Sequence, residues 1–226
     1  MTFIVAGNSH SAPETVEAHG FDSWVDIIDK HPLGMKLHTN LSEGGAGSGL
    51  ESFFIHNGKP LIVDGMLVQV RTFIESLPHS DKEPPSTAIL YGAGNDANAI
   101  CGVLPAEIDG LKVDVLPWVK EFRTQYFEKR DKGRLGEFFE DSAHYYTVHH
   151  FRLCILALQK AIPGIKVIIV GDWNLHKAPL GRTAMTTFSC FRASSEQLAK
   201  LSIQSSCNLV HLDKLRLPHT HSIDVI

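Results

Sequence analysis

Short apolar runs alternate with amphipathic stretches along this chain, and that alternation constrains the fold more than any other feature. The runs are short and several are rich in β-branched residues, which is typical of buried strands. They are Phe3–Gly7, Lys36–Thr39, Thr87–Tyr91, Ile165–Val170 and Asn208–Leu212. The stretches between them repeat apolar residues at helical spacing, and these are Phe21–Lys30, Met66–Leu77, Val113–Lys132, Ala143–Ala161 and Ser194–Ser205.

This order of strands and helices predicts an α/β fold, a three-layer sandwich in which a five-stranded parallel sheet carries helices on both faces. The polar segment Ser80–Ser86 is followed by a strand of the same alternation, so it predicts a surface loop within a single domain spanning residues 1–226. Sites in such sheets lie beyond the carboxyl ends of the strands. The residues that directly follow each strand are therefore the candidates for a functional site.

Composition and charge exclude several classes of protein. Hydrophobic residues make up 43% of the 226 residues, which is enough for a substantial core. With 21 basic and 25 acidic residues, the net charge of −4 provides no overall attraction to nucleic acid. No apolar run approaches the roughly 18 residues of a membrane-spanning helix, and no signal peptide is recognisable. We expect a cytoplasmic protein whose four cysteines are free thiols, with no nucleic-acid partner and no membrane span.

Three of the predicted strands are followed by short polar or glycine-rich segments. Gly7-Asn8-Ser9-His10-Ser11 places a serine on a strand-to-helix turn, where it is either a helix cap or an exposed nucleophile. Asn40–Gly49 is either a flexible loop or a backbone that approaches a ligand closely. Gly92–Asp96 either forms an ordinary turn or presents an amide that can donate to an oxyanion.

These three segments, in this order, resemble the sequence blocks of the SGNH (GDSL-type) hydrolases. Gly7-Asn8-Ser9 resembles the Gly-Asp-Ser block, Asn40–Ala46 the Asn-x-x-x-x-Gly block, and Gly92–Asp96 the Gly-x-Asn-Asp block. The resemblance implies a flavodoxin-like SGNH fold and cleavage of a carboxylic ester in a small-molecule substrate, with no cofactor and no metal. It also implies that Ser9 is the nucleophile, and that the N–H groups of Ser9 and Gly45 form an oxyanion hole with the Asn95 side chain.

The family's base, a histidine with an aspartate three residues before it, has no intact counterpart here. The tail contains His219 and His221, but Arg216 and Pro218 stand three residues before them, and Asp213 is the nearest upstream carboxylate. One interpretation is that His219 or His221 is the base, with Asp213 or no carboxylate as its partner. A second is a truncated or altered C-terminus that leaves a weak enzyme, and a third is an inactive relative that binds a ligand.

A rival motif, Gly171-Asp172-Trp173-Asn174, follows the fourth predicted strand and resembles the Gly-Asp-x-Asn block of the endonuclease/exonuclease/phosphatase family. The tail segment His221–Ile226 also resembles a segment of that family. This resemblance implies Mg²⁺-dependent phosphodiester cleavage by Asp172 and Asn174. However, the first half of the chain has no Gln-Glu metal-ligand segment, and the long helical patterns do not suit that family's antiparallel two-sheet sandwich. We therefore expect a serine esterase.

Overall fold

The computed structural model describes residues 1–8, 11–13, 22–32, 34–56, 59–92, 95–96, 107–108, 111–112, 124–125, 128–129, 131–134, 144–171 and 208–211. The strands are β1 (Thr2–Gly7), β2 (Lys36–Asn40), β3 (Glu51–His56), β4 (Lys59–Asp64), β5 (Thr87–Tyr91), β6 (Glu107–Ile108), β7 (Leu111–Lys112), β8 (Lys166–Gly171) and β9 (Asn208–His211). The helices are α1 (Trp24–Lys30), α2 (Met66–Ser76) and α3 (His144–Ala161), and a 3₁₀ turn at Leu77–His79 follows α2.

Five strands form one sheet in the order β2-β1-β5-β8-β9, and every neighbouring pair in it is parallel. The α/β class and the parallel sheet expected from the sequence are thus confirmed, and the bounds of each predicted strand are right to within one residue. Because the strands are parallel, their carboxyl ends lie at one edge of the sheet. The segments that follow β1, β2 and β5 therefore begin at the same edge.

Helices cover both faces of this sheet, as the three-layer prediction requires. Side chains alternate along a strand, so Ile4 and Ala6 of β1 face α2 and α3 in one apolar cluster. Phe3 and Val5 face the other way, into a second cluster with Val25 of α1. Burial on both faces explains why β1 and β5 are continuous apolar runs.

The observed helix boundaries have recognisable physical causes, and α1 begins three residues after the predicted start at Phe21. α1 begins with a capping box, in which Asp26 N donates to Ser23 Oγ (3.0 Å) and Ser23 N donates to Asp26 Oδ2 (3.1 Å). α3 ends shortly before Pro163, which is followed by Gly164 at φ 84°. Of the predicted helix Val113–Lys132, the structure describes only a few positions, among them helical residues at 124–125, 128–129 and 131, and the predicted helix Ser194–Ser205 lies outside the described residues.

A β-hairpin that was not predicted separates β2 from α2. β3 and β4 pair in antiparallel fashion from Glu51↔Asp64 to His56↔Lys59. The prediction of one β-α alternation was wrong here, because the dipeptide Asn57-Gly58 between two apolar runs is a strong hairpin signal that it overlooked. The single domain over residues 1–226 stays a prediction.

Two further expectations concern cysteines and membranes. Cys154 of α3 is a free, fully buried thiol, and its burial raises the pKa of that thiol. Cys101, Cys190 and Cys207 lie outside the described residues. Within the part of the chain that the structure describes, no helix is both long and apolar enough to cross a membrane.

Candidate active site

The carboxyl end of β1 lies tightly against β5. Gly7 pairs with Tyr91, and a Cβ at Gly7 would collide with the Tyr91 carbonyl, so this approach requires glycine. Asn8 N then donates to Tyr91 O (3.2 Å), and Ser11 N donates to Asn8 O (3.0 Å). The chain therefore turns back directly after β1, and the two residues between Asn8 and Ser11 lie outside the described residues.

A buried glutamine holds the end of β1 from the side of α2. Gly7 N donates to Gln69 Oε1 (2.9 Å), and Gln69 Nε2 donates to Gly7 O (3.1 Å) and to Asp64 O (3.1 Å). One side chain thus satisfies both backbone groups of Gly7 and links β1 to the end of β4. The sequence offered no signal for this role, because a glutamine in a helix gives no sign of which distant backbone it contacts.

The segment after β2 is a mostly buried, hydrogen-bonded loop. Asn40 Nδ2 donates to Ser11 O (2.7 Å), and Ser42 N donates to Asn40 Oδ1 (3.1 Å), so this side chain joins the two loops. Gly45 has φ 81°, a left-handed conformation that favours glycine. Residues 44–49 are all buried, which is the opposite of what a solvated glycine-rich loop would show.

Asn95, one of the predicted oxyanion residues, lies against this loop. Its Nδ2 donates to Ala46 O at 2.9 Å. An amide nitrogen carries two hydrogens, so one N–H of Asn95 remains available to another acceptor. The structure therefore places Asn95 next to the turn that contains Gly45, and the role of both residues in an oxyanion hole stays a prediction.

Asp96, the next residue, is a fully buried carboxyl that the sequence interpretation treated as part of a turn. Its Oδ1 accepts from Ser48 N (2.9 Å) and its Oδ2 accepts from Thr147 Oγ1 of α3 (2.9 Å). Burial raises the pKa of the Asp96 carboxyl, while hydrogen bonds from Ser48 and Thr147 and the charge of His150 act in the opposite direction. The signal available in the sequence was the family block Gly-x-Asn-Asp, whose last residue was given no role.

The other predicted site residues lie outside the described residues and stay predictions. These are Ser9, His219, His221 and Asp213 for ester cleavage, and Asp172 and Asn174 for the rival motif. The parallel sheet with helices on both faces is not the antiparallel two-sheet sandwich that the rival resemblance implied. Of the predicted constellation, the structure thus describes two members, Gly45 and Asn95, and it places them at the same sheet edge.

Comparison with known proteins is informative at the level of three-dimensional structure. No family model matches the sequence, and no curated protein does. An extracellular lipase from Streptomyces rimosus matches with 11% identity and a TM-score of 0.52, over 93% of this chain and 80% of that one. A carbohydrate acetylesterase from Sinorhizobium meliloti matches with 10% identity and a TM-score of 0.52, over 94% and 84%. A phospholipase A1 from Streptomyces albidoflavus matches with 10% identity and a TM-score of 0.50, over 92% and 78%. At identities this low, the structural similarity shows the architecture alone. The chain has the fold of the SGNH (GDSL-type) hydrolases.

Proposed function

We propose that this protein is a serine hydrolase that cleaves a small carboxylic ester through an acyl-enzyme on Ser9. The observation that carries the proposal is the hydrogen bond of 2.9 Å from Asn95 Nδ2 to Ala46 O. This bond holds the Asn95 carboxamide beside the left-handed turn at Gly45. The proposal assigns to these two residues two of the three donors of an oxyanion hole. The fold, shared with a lipase and an acetylesterase, supports the same class of reaction.

The proposed reaction follows the chemistry of a nucleophile, a base and an oxyanion site. Ser9 Oγ attacks the ester carbonyl carbon and its proton passes to a histidine. The carbonyl oxygen becomes an anion that accepts from the N–H groups of Ser9 and Gly45 and from the second N–H of Asn95. The tetrahedral species then collapses, the C–O bond to the alcohol breaks, and the histidine returns the proton to the departing alcohol. Water repeats the sequence on the acyl-enzyme and releases the acid.

The base in this proposal is His219 or His221, with Asp213 as the candidate orienting carboxylate. A histidine suits the role because its pKa lies close to neutral pH, so it can both accept and return the proton. The proposal requires one of the two imidazoles to reach Ser9 Oγ.

The test of the nucleophile is hydrolysis of p-nitrophenyl acetate and p-nitrophenyl butyrate by the wild type and by Ser9→Ala. We expect the substitution to lower kcat on the order of 10³-fold or more, because the nucleophile and its base act as a unit. Ser11→Ala is the matched control on the same turn, since its buried hydroxyl has no hydrogen-bond partner among the described residues. Equal rates in wild type and Ser9→Ala would show that the turnover does not use Ser9.

The test of the base compares His219→Ala with His221→Ala at pH 7 in the same assay. We expect one substitution to suppress turnover and the other to leave it close to the wild-type rate. Full activity in both variants would contradict the assignment of the base to the tail. A protein that binds esters or acids without Ser9-dependent turnover would be the inactive relative that the sequence left open.

A further inference from the structure

We propose that Asp96 is a positioning residue for ester hydrolysis, which fixes the turn around Gly45 by holding the Ser48 N–H and the Thr147 hydroxyl at the same time. The inference rests on the proposed function and adds to it a residue that acts through the oxyanion turn. Asp96 is fully buried, and both of its carboxylate oxygens accept a hydrogen bond.

Two adjacent residues, Asn95 and Asp96, hold one loop at two points. Asn95 donates to the carbonyl of Ala46, and Asp96 accepts from the N–H of Ser48. The short stretch from Ala46 to Ser48 is therefore held through an acceptor at one end and a donor at the other. A third bond, from Met66 N to Gly47 O (2.8 Å), holds its middle to the start of α2. Because this stretch directly follows Gly45, we expect it to fix the orientation of the Gly45 N–H.

Gly47 shows how closely the carboxylate approaches the loop. A Cβ added at Gly47 would lie far inside the van der Waals distance of Asp96 Oδ1, and it would also come within 3.1 Å of Ser52 Oγ. Gly47 has no left-handed φ, so the requirement for glycine here comes from the approach of Asp96 and, less closely, of Ser52. The loop and the carboxylate thus leave no space for a side chain between them.

The second anchor, Thr147, connects this arrangement to the core. Thr147 is 2% exposed and belongs to α3, which packs with α2 on one face of the sheet. Its hydroxyl donates to Asp96 Oδ2, so the carboxylate is fixed by a helix that lies outside the loop. Without that donor, the buried Asp96 Oδ2 would lose this hydrogen bond. A buried charged oxygen that lacks a hydrogen bond destabilises the folded protein.

Burying an ionised carboxyl at this position costs free energy, a cost that a purely structural residue would not need. Burial disfavours its ionised form, and His150 of α3 is the titratable group whose charge partly offsets that effect. Replacing buried charged groups by apolar residues of similar size is often neutral or stabilising. A role in setting the geometry of the oxyanion turn explains why an acceptor with two oxygens is used here.

The experiment measures kcat and KM with p-nitrophenyl acetate in two matched pairs of variants. Asp96→Ala removes both acceptors, whereas Asp96→Asn can accept from Ser48 N through its amide oxygen and donate to Thr147 Oγ1. Thr147→Val removes one hydroxyl at constant shape, whereas Thr147→Ser keeps it. We expect Asp96→Ala and Thr147→Val to lower kcat about tenfold with little change in KM, because the oxyanion hole acts in the transition state. We expect Asp96→Asn and Thr147→Ser to stay within about threefold of the wild type.

A readout that does not depend on activity accompanies these rates. Amide hydrogen exchange at Ser48 should be faster in Asp96→Ala than in wild type and Asp96→Asn, because the exchange requires the Ser48–Asp96 bond to open. Unchanged kcat in both Asp96→Ala and Thr147→Val, with turnover still lost in Ser9→Ala, would overturn the positioning role and leave the proposed function intact. Equal losses of kcat in Asp96→Asn and Asp96→Ala would also overturn it. Turnover that does not depend on Ser9 would overturn the proposed function itself.

Discussion

Two loops of this protein lie in opposite environments. The site loop, residues 41–50, follows β2, and the distal loop, residues 78–84, precedes β5. Residues 44–49 of the site loop are buried and bind Asn95 and Asp96 from almost fifty residues away in the sequence. Residues 78–84 of the distal loop are exposed, and a contact such as Lys82 N to Ser80 Oγ is local. Buried hydrogen bonds to residues distant in the sequence therefore distinguish the site loop from the distal loop.

The largest effect that would sharpen this comparison is the loss of the Asn95 carboxamide. Asn95→Ala should lower kcat by roughly 10²–10³ with KM little changed, since removal of one oxyanion donor has that magnitude in hydrolases. The measurement is steady-state hydrolysis of p-nitrophenyl acetate, with Asp81→Ala in the distal loop as a control that should match the wild type. Comparable kcat in Asn95→Ala and Asp81→Ala would mean that the site loop is no more important to turnover than the distal one.

The next effect comes from inserting a methyl group between the site loop and Asp96. Gly47→Ala places a Cβ against Asp96 Oδ1, which must move and release the Ser48 N–H. We expect kcat to fall about tenfold and the protein to lose stability, by the same loss of geometry that Asp96→Ala causes. Gly133→Ala is the control, because Gly133 has φ 68° and no atom near its would-be Cβ, so its cost is in stability alone. Wild-type kcat in Gly47→Ala would show that the loop tolerates a displaced carboxylate.

The same contrast explains what could be predicted from the sequence. Strands such as β1 and β5 were predictable because burial on both faces makes them continuous apolar runs, and the prediction needs only neighbouring residues. Gly45 and Asn95 could be selected as candidates because each belongs to a short block that follows a strand, and their roles stay predictions. Gln69 and Asp96 could not, because their partners Gly7, Ser48 and Thr147 are about fifty or more residues away in the sequence. Short-range patterns carry no information on such contacts.

The β-hairpin shows a different kind of failure. The pattern Glu51–Asp64 contains two apolar runs around Asn57-Gly58, which is a local signal and could have been found. It was overlooked because a regular β-α alternation leaves no place for an antiparallel pair. Its position matters to the site, since Asp64 at its end accepts from Gln69 and donates its N–H to Glu43 Oε2 (3.1 Å) of the site loop.

A smaller effect concerns the pH dependence of stability. Burial raises the pKa of Asp96 above its value in the unfolded chain, so the folded protein retains this proton to higher pH than the unfolded one. The unfolded state therefore gains relative to the folded state as the pH rises above 3.8, and ionised Asp96 costs stability at pH 7. Asp96→Asn does not titrate, so its Tm minus that of the wild type should increase from pH 4 to pH 7. A difference in Tm that decreases over this range would mean that folding lowers the pKa of Asp96.

The smallest expected effect is in the distal loop, and a paired insertion measures it against the site loop. A Gly-Ser insertion between Asp81 and Lys82 lengthens an exposed segment, so it should cost well under about 1 kcal/mol of stability and leave kcat unchanged. The same insertion between Gly47 and Ser48 separates the bonds to Met66 N and Asp96 Oδ1, and these buried groups are worth about 1 kcal/mol or more each. Thermal unfolding and p-nitrophenyl acetate turnover of the two insertion variants provide the comparison. Both insertions add the same residues, so a difference in their effects on stability and kcat measures the hydrogen bonds of the site loop to distant residues and not loop length. Equal effects on stability and kcat would remove the distinction between the two loops.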